Sequence, residues 1–191
     1  MFLFQVVCVG LLATVAHTQL LQNCGVDTSA MVIGSTADAD TLATSTLGCS
    51  NGDLAVQWVG EVFIEETIHV TGGTSLNITG SGPGAIANGG GITQMFYVDE
   101  SSRLHLSDMT LAHGNSTSNG GAIFVEQSSL SFSGNMSFIF SFASEDGGAI
   151  YASESNVSWD GDGTRFISNS AGGTAGAIYA LQSNLSWDGD G

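Results

Sequence analysis

Apolar residues recur along this chain in short alternating runs, and the runs themselves recur every 27 or 28 residues. Ile68-His69-Val70, Phe96-Tyr97-Val98, Ile123-Phe124-Val125, Ile150-Tyr151-Ala152 and Ile178-Tyr179-Ala180 begin five successive copies. A second apolar pair follows each of them, eight residues on in the first two copies and seven in the last three: Leu76/Ile78, Leu104/Leu106, Leu130/Phe132, Val157/Trp159 and Leu185/Trp187. A third anchor, Leu111, Phe138 or Phe166, stands twelve residues before the start of the next copy. A strand sends successive side chains to opposite faces. The Ile/Phe, Val/Ala and Leu/Val rows therefore turn inward. Asn77, His105, Ser131, Ser158 and Ser186, lying between the second-strand pairs, face water.

Three short strands and three turns in 27–28 residues describe one coil of a right-handed parallel β-helix with three strands per coil. A period in the range of roughly 20–50 residues marks a solenoid, a propeller or an array. A propeller blade needs about 40–50 residues. The lack of a 3.6-residue period, with glycine pairs inside the copies, argues against helical repeats. Glycine is expected at the corners, where turns demand positive φ.

The repeats occupy residues 67–191. They stop in mid-coil at Asp188-Gly189-Asp190-Gly191, which implies a longer chain. Residues 19–66 are aperiodic at first and read as an N-terminal cap followed by the first strands, Leu54–Gly60 and Glu61–Ile64. A solenoid needs such a cap to cover a sheet edge and an open core. Within it the pattern predicts a short helix over 38–47, with Asp38 as its N-cap and Gly48 beyond its end. Residues 1–18 read as a secretory signal peptide. Met1–Ala16 is nearly all apolar, too short for the roughly 20 residues of a spanning helix, and small residues suit cleavage near 16–18. A buried N-terminal strand is the competing reading. No other run is long and apolar enough to be a transmembrane segment.

Charge narrows the function. Two arginines and no lysine stand against 18 Asp and Glu, for a net −16. Nucleic acid is excluded as a partner, because its binding rests on Lys and Arg neutralising phosphates. An anionic membrane surface is disfavoured for the same reason. Loss of the signal segment would remove Cys8 and leave Cys24 and Cys49. An even number in an exported chain reads as a disulfide, with two free thiols as the alternative.

The residues also carry a resemblance. Gly120-Gly121-Ala122-Ile123 returns as Gly147-Gly148-Ala149-Ile150 and as Ala175-Gly176-Ala177-Ile178, and Phe166-Ile167-Ser168-Asn169 supplies one Phe-x-x-Asn. The pattern resembles the repeat of the chlamydial-type polymorphic outer membrane proteins, and is similar to repeats in secreted surface proteins of algae and protists. The resemblance covers about residues 67–191. It implies a surface-exposed β-helical passenger used in adhesion, placed at an outer membrane or cell wall and anchored in that family by a C-terminal β-barrel.

Four kinds of site residue follow from the register. Tyr97, Phe124, Tyr151 and Tyr179 form an outward aromatic row, preceded by His69 and flanked by Asp99, Glu100, Glu126 and Glu154. It is the candidate surface for an extracellular glycan or protein partner, and a purely structural ladder is the alternative. Asp160, Asp162, Asp188 and Asp190 lie in two Asp-Gly-Asp-Gly turns one period apart, where crowded carboxylates suit calcium, although Asp-Gly is also a preferred turn dipeptide. Asn77, Asn115, Asn135, Asn156 and Asn184 head glycosylation sequons on outward or loop positions; in a chain so rich in Ser, Thr and Asn, chance supplies such triplets too. The function favoured is non-catalytic: a secreted or surface-displayed segment for adhesion or wall and matrix architecture, with no cofactor beyond calcium. A carbohydrate-active hydrolase or lyase is the alternative, with Asp99/Glu126 or Glu100/Glu154 as its carboxylate pair.

Overall fold

Successive copies stack as parallel neighbours, row upon row. In the computed structural model, which describes residues 31–46, 52–160 and 163–188, Ile68 pairs with Phe96, Phe96 with Ile123, Ile123 with Ile150, and Ile150 with Ile178. The second-strand row runs Leu76, Leu104, Leu130, Val157, Leu185 in the same way. The third runs Leu111, Phe138, Phe166. Every register read from the repeat is therefore the observed one. The chain is a parallel β-solenoid of about five turns with three parallel sheets. The proposed signal segment, Cys24, Cys49, Asp162 and Asp190 lie outside the described residues.

The first strands form a five-stranded sheet. Second and third strands share one larger sheet, because Ser75–Asn88 runs through the corner and pairs with both Arg103–Ser107 and Thr110–Ala112. Two-residue strands at Asn115–Ser116, Phe142–Ala143 and Ser170–Ala171 add a third sheet beside the glycine-rich turn.

The inward rows fill the bore. Ile68, Phe96, Ile123, Ile150, Leu104, Leu130 and Phe138 are completely buried, each such side chain contributing about 1.5–3 kcal/mol. Aromatic residues stack inside as well as outside. Phe138 and Phe166 lie 4.8 Å apart at 7°, and Phe132 and Trp159 5.7 Å apart at 11°.

At the N-terminal end, Met31–Ile33 pairs with Asp53–Phe63, which pairs in turn with Ser75–Asn88. The two expected first strands are one strand, with a register shift between Val59 and Glu61 around left-handed Gly60. The helix spans Thr36–Thr46 and buries Ala39, Leu42 and Ala43 in the core. Its cap differs from expectation. Ser35 precedes the helix, and its Oγ accepts from the Asp38 N–H at 3.3 Å and donates to Asp38 Oδ2 at 2.8 Å. Asp38 Oδ2 also accepts from the Gly34 N–H. Asp38 thus binds back to the Ser35 hydroxyl and the Gly34 N–H from inside the first turn, in the manner of a capping box shifted by one residue, instead of serving as the cap itself.

Corners are turned by more than glycine, which corrects the expectation that glycine supplies the positive φ. Between first and second strands the left-handed residues are Gly72 and Gly73, then Glu100 and Ser101, then single residues Gln127, Glu154 and Gln182. The change of offset from eight to seven is the loss of one left-handed residue at this corner. Left-handed φ costs an ordinary residue roughly 1–2 kcal/mol, and hydrogen bonds between coils offset it. The Ser128 Oγ accepts from the Ser102 N–H at 3.1 Å, Ser155 from Ser128 at 3.2 Å, and Ser183 from Ser155 at 3.0 Å. Ser102, Ser128 and Ser155 are buried, so this column of hydroxyls satisfies backbone donors that water does not reach.

Candidate functional site

The outward residue of each first strand is held by the inward pair on either side of it, buried in the first four copies and half-buried around Tyr179, so its direction is fixed by the core. His69 and Tyr97 have ring centroids 5.4 Å apart at 41°. From Tyr97 onward the rings stack: Tyr97–Phe124 at 4.8 Å and 6°, Phe124–Tyr151 at 5.1 Å and 11°, Tyr151–Tyr179 at 5.5 Å and 13°. These spacings match the separation of neighbouring strands, about 4.8 Å. Each inner ring is covered on both faces by its neighbours, and all four are half-buried. The row therefore offers solvent ring edges and phenol hydroxyls. Its electrostatics are acidic. Burial, then the charges of Asp99 and Glu126, raise the Tyr97 phenol above its ordinary value. Tyr151 is raised by burial first, then by Tyr179, Asp146 and Glu126, against a lowering hydrogen bond from Ser153.

The flanking carboxylates are largely committed to the scaffold. Glu100 Oε2 accepts from Thr71 Oγ1 at 2.8 Å and from the Gly72 N–H at 3.0 Å. Glu154 Oε2 accepts from Gln127 Nε2 at 3.1 Å. Gln127 occupies the corner between the coils of Glu100 and Glu154, so those two are not neighbours, unlike the pairing weighed for a hydrolase. Asp99 and Glu126 both lie beside Tyr97, and Asp99 Oδ1 is buried with no hydrogen-bond partner.

Asp160 and Asp188 pair in register at the exposed end of the second strand. Among the described residues, no group of three or more His, Cys, Asp or Glu is arranged to hold a metal ion. Of the sequon asparagines, Asn77, Asn135, Asn156 and Asn184 are exposed. Asn184 Nδ2 donates to Asn156 Oδ1 at 3.0 Å, joining two sequons on adjacent coils. Asn115 is half-buried and donates to the Gly91 carbonyl at 2.5 Å.

One constellation was not foreseen from the sequence, where His105 is simply one of the water-facing residues of the second-strand row. His105 Nδ1 lies 2.9 Å from Ser131 Oγ and Nε2 lies 3.3 Å from Ser133 Oγ. The signal was available, since Ser131 stands in the same row one copy on. Neither nitrogen has a carboxylate partner among the described residues, and the neighbouring strand N–H groups are spent on sheet bonds. The contacts join two neighbouring coils along the outward row.

The repeated tetrapeptide is structural too. Gly147 has φ 67°, and in the third copy Ala175 takes the same conformation with φ 59°. A Cβ at Gly147 would meet the Ile150 carbonyl oxygen, a contact that Ala175 accommodates in its own copy, and a Cβ at Gly148 would meet the carbonyl oxygens of both Gly176 and Ser170 in the next coil. In Phe-x-x-Asn, Phe166 packs inward, while Asn169 Oδ1 accepts from the Ser141 N–H at 2.9 Å and Nδ2 donates to the Phe138 carbonyl at 2.8 Å. In the preceding coil the Ser141 hydroxyl is the acceptor, toward the Gly114 N–H at 3.3 Å.

Residues 129–153 match the family model of the Chlamydia polymorphic membrane protein repeat. That stretch traces almost one complete turn, from the second strand at Ser129 through the glycine-rich corner to the next first strand, which ends at Ser153. No curated protein and no solved structure matches the chain.

Proposed function

We propose, from the polymorphic membrane protein repeat carried within this solenoid, that the chain is a non-catalytic segment displayed on a cell surface or secreted, serving adhesion or wall and matrix architecture. The observation that carries this reading is the placement of that repeat. It forms one turn of a regular stack whose tetrapeptide glycines and Phe-x-x-Asn amide hold coil to coil, leaving the outward rows free to vary. Such a scaffold displays side chains at fixed intervals over a long surface, as repeat proteins do for extended partners. Enzymatic chemistry is disfavoured because Glu100 and Glu154 are bonded into corners and the two arginines stand on different strands. The helix Thr36–Thr46 is too short to cross a membrane, and no described helix is long and apolar enough to do so.

The aromatic row Tyr97, Phe124, Tyr151, Tyr179 is one surface for such contact, through phenol hydroxyls and ring edges with carboxylates at the rim. Replacing Phe124 and Tyr151 together by Ser tests it. Loss of attachment to cells or matrix glycans well beyond the loss of folded protein supports a contact role. Attachment that tracks the folded fraction leaves the row as scaffold alone.

A further inference from the structure

Three stretches stacked on one side of this acidic molecule contain no carboxylate of their own, and Asp108, Glu145 and Asp146 border them. Residues 109–119, 136–144 and 164–174 hold no Asp or Glu, though the chain has 18. These three stretches are the third strands, the corner after them and the two-residue strands, one coil above another. The side they form carries Arg165 and His113 and an apolar patch. Phe140 is 53% exposed, Phe142 41% and Ile167 45%, with Ile139 half-buried in register beside Ile167.

Phe140 stands out within this patch. It adopts φ 54°, a conformation uncommon for any residue with a Cβ and more so for a bulky one. Its neighbours at the same corner, His113 and Ser168, share the left-handed φ but are polar. A large ring is thus kept in a costly conformation and in water, stacked on His113 at 5.4 Å and 11°. Strain of this kind, observed first, is grounds for a functional hypothesis. Phe142, two residues on, flanks the inward Ser141 and pairs with Asn115 on one side and Ser170 on the other. Amide and hydroxyl groups therefore border both rings.

We infer that this corner binds a neutral polysaccharide, with sugar rings laid against Phe140 and Phe142 and their hydroxyls bonded to Asn115, Ser168 and Ser170. The inference rests on the adhesive reading above and names its surface and partner. Charge selects the ligand class. An acidic glycan is repelled by the net −16, and a cationic one finds its counter-charges on the other faces. A neutral chain with apolar ring faces and polar edges fits a patch built of phenyl rings and amides. The tyrosine row differs in both respects, since its ring faces are covered and its rim is acidic.

Affinity electrophoresis of the whole chain through gels holding hydroxyethyl cellulose, galactomannan or pectate tests the inference. The variant is Phe140→Asn with Phe142→Ser. Asn suits left-handed φ, so the variant is expected to melt no lower than the parent. The expected result is retardation by at least one neutral gel and not by pectate, insensitive to salt, with apparent affinity falling about tenfold or more in the variant. Equal retardation of parent and variant overturns the assignment, and loss only in Phe124→Ser/Tyr151→Ser transfers binding to the tyrosine row. No retardation of the parent also overturns it. If light scattering then shows a dimer that the variant lacks, the patch is an interface between two copies. If the parent fails in every gel yet still attaches to cells, the adhesive reading stands and only the glycan partner is lost.

Discussion

At the scale of single residues, the two glycines of each Gly-Gly-Ala-Ile do different work. The first takes a left-handed backbone and would set a Cβ against the Ile carbonyl three residues on, and the second would set one against two carbonyls of the next coil. A Cβ at Gly147 would meet the Ile150 carbonyl oxygen, but Ala175 relieves that contact at the equivalent position, so Gly147→Ala should cost about 1–2 kcal/mol, the ordinary penalty of left-handed φ. Gly148→Ala forces backbone carbonyls apart and should cost more, about 3 kcal/mol, at the upper end for overpacking. Urea unfolding of both variants checks the order, and equal losses would mean that the contact at Gly148 relaxes freely. Residue scale is also where the sequence was least legible. The left-handed φ of Gln127, Glu154 or Phe140 has no local signature, because stacked neighbours impose it. The Ser131 and Ser133 contacts of His105 join residues 26 and 28 apart, and become visible only once a register is trusted.

Strands and rows were far more legible. A solenoid repeats its interior at every coil, so each inward position of the first two strands is sampled five times and the third-strand anchor three times, and chance alternation in one copy is corrected by the others. The two-residue strands escaped notice because two residues cannot alternate. The aromatic row behaves as an element in its own right and responds to pH. The phenols of Tyr97 and Tyr151 are raised in the fold, so the folded protein holds its protons more tightly than the unfolded chain. Their contribution is fully present below the ordinary phenol value of about 10 and is lost as pH rises toward the folded values. Thermal melts from pH 8 to 11 should therefore show stability falling from about pH 10, with the fall reduced in Tyr97→Phe/Tyr151→Phe. An equal fall in that variant would assign the alkaline loss to other groups.

Over the whole molecule, two cations against 18 carboxylates leave little pairing and much repulsion. Asp160 and Asp188 add to it by standing in register one strand apart, where like charges are destabilising. Raising NaCl from about 0.02 to 0.5 M shortens the screening length to a few ångströms. The melting temperature should rise by a few degrees, roughly 1 kcal/mol for a chain of this size. A falling melting temperature would show instead that the carboxylates are held in favourable local bonds.

The hydrogen bonds between coils run both ways. At the serine corner a later coil's side chain accepts from the N–H of the coil before it. Beside the glycine-rich turn the earlier coil supplies the acceptor, Asn119 toward the Asp146 N–H and Asp146 toward the Thr174 N–H. The later described turns thus carry the same plug and the same socket, whatever their outward residues. A gene encoding such a chain can gain or lose one unit of 27 or 28 codons and still yield surfaces that mate. Asn156-Val157-Ser158-Trp159-Asp160 beside Asn184-Leu185-Ser186-Trp187-Asp188 has the look of one such copying event, recent enough that only a single position differs.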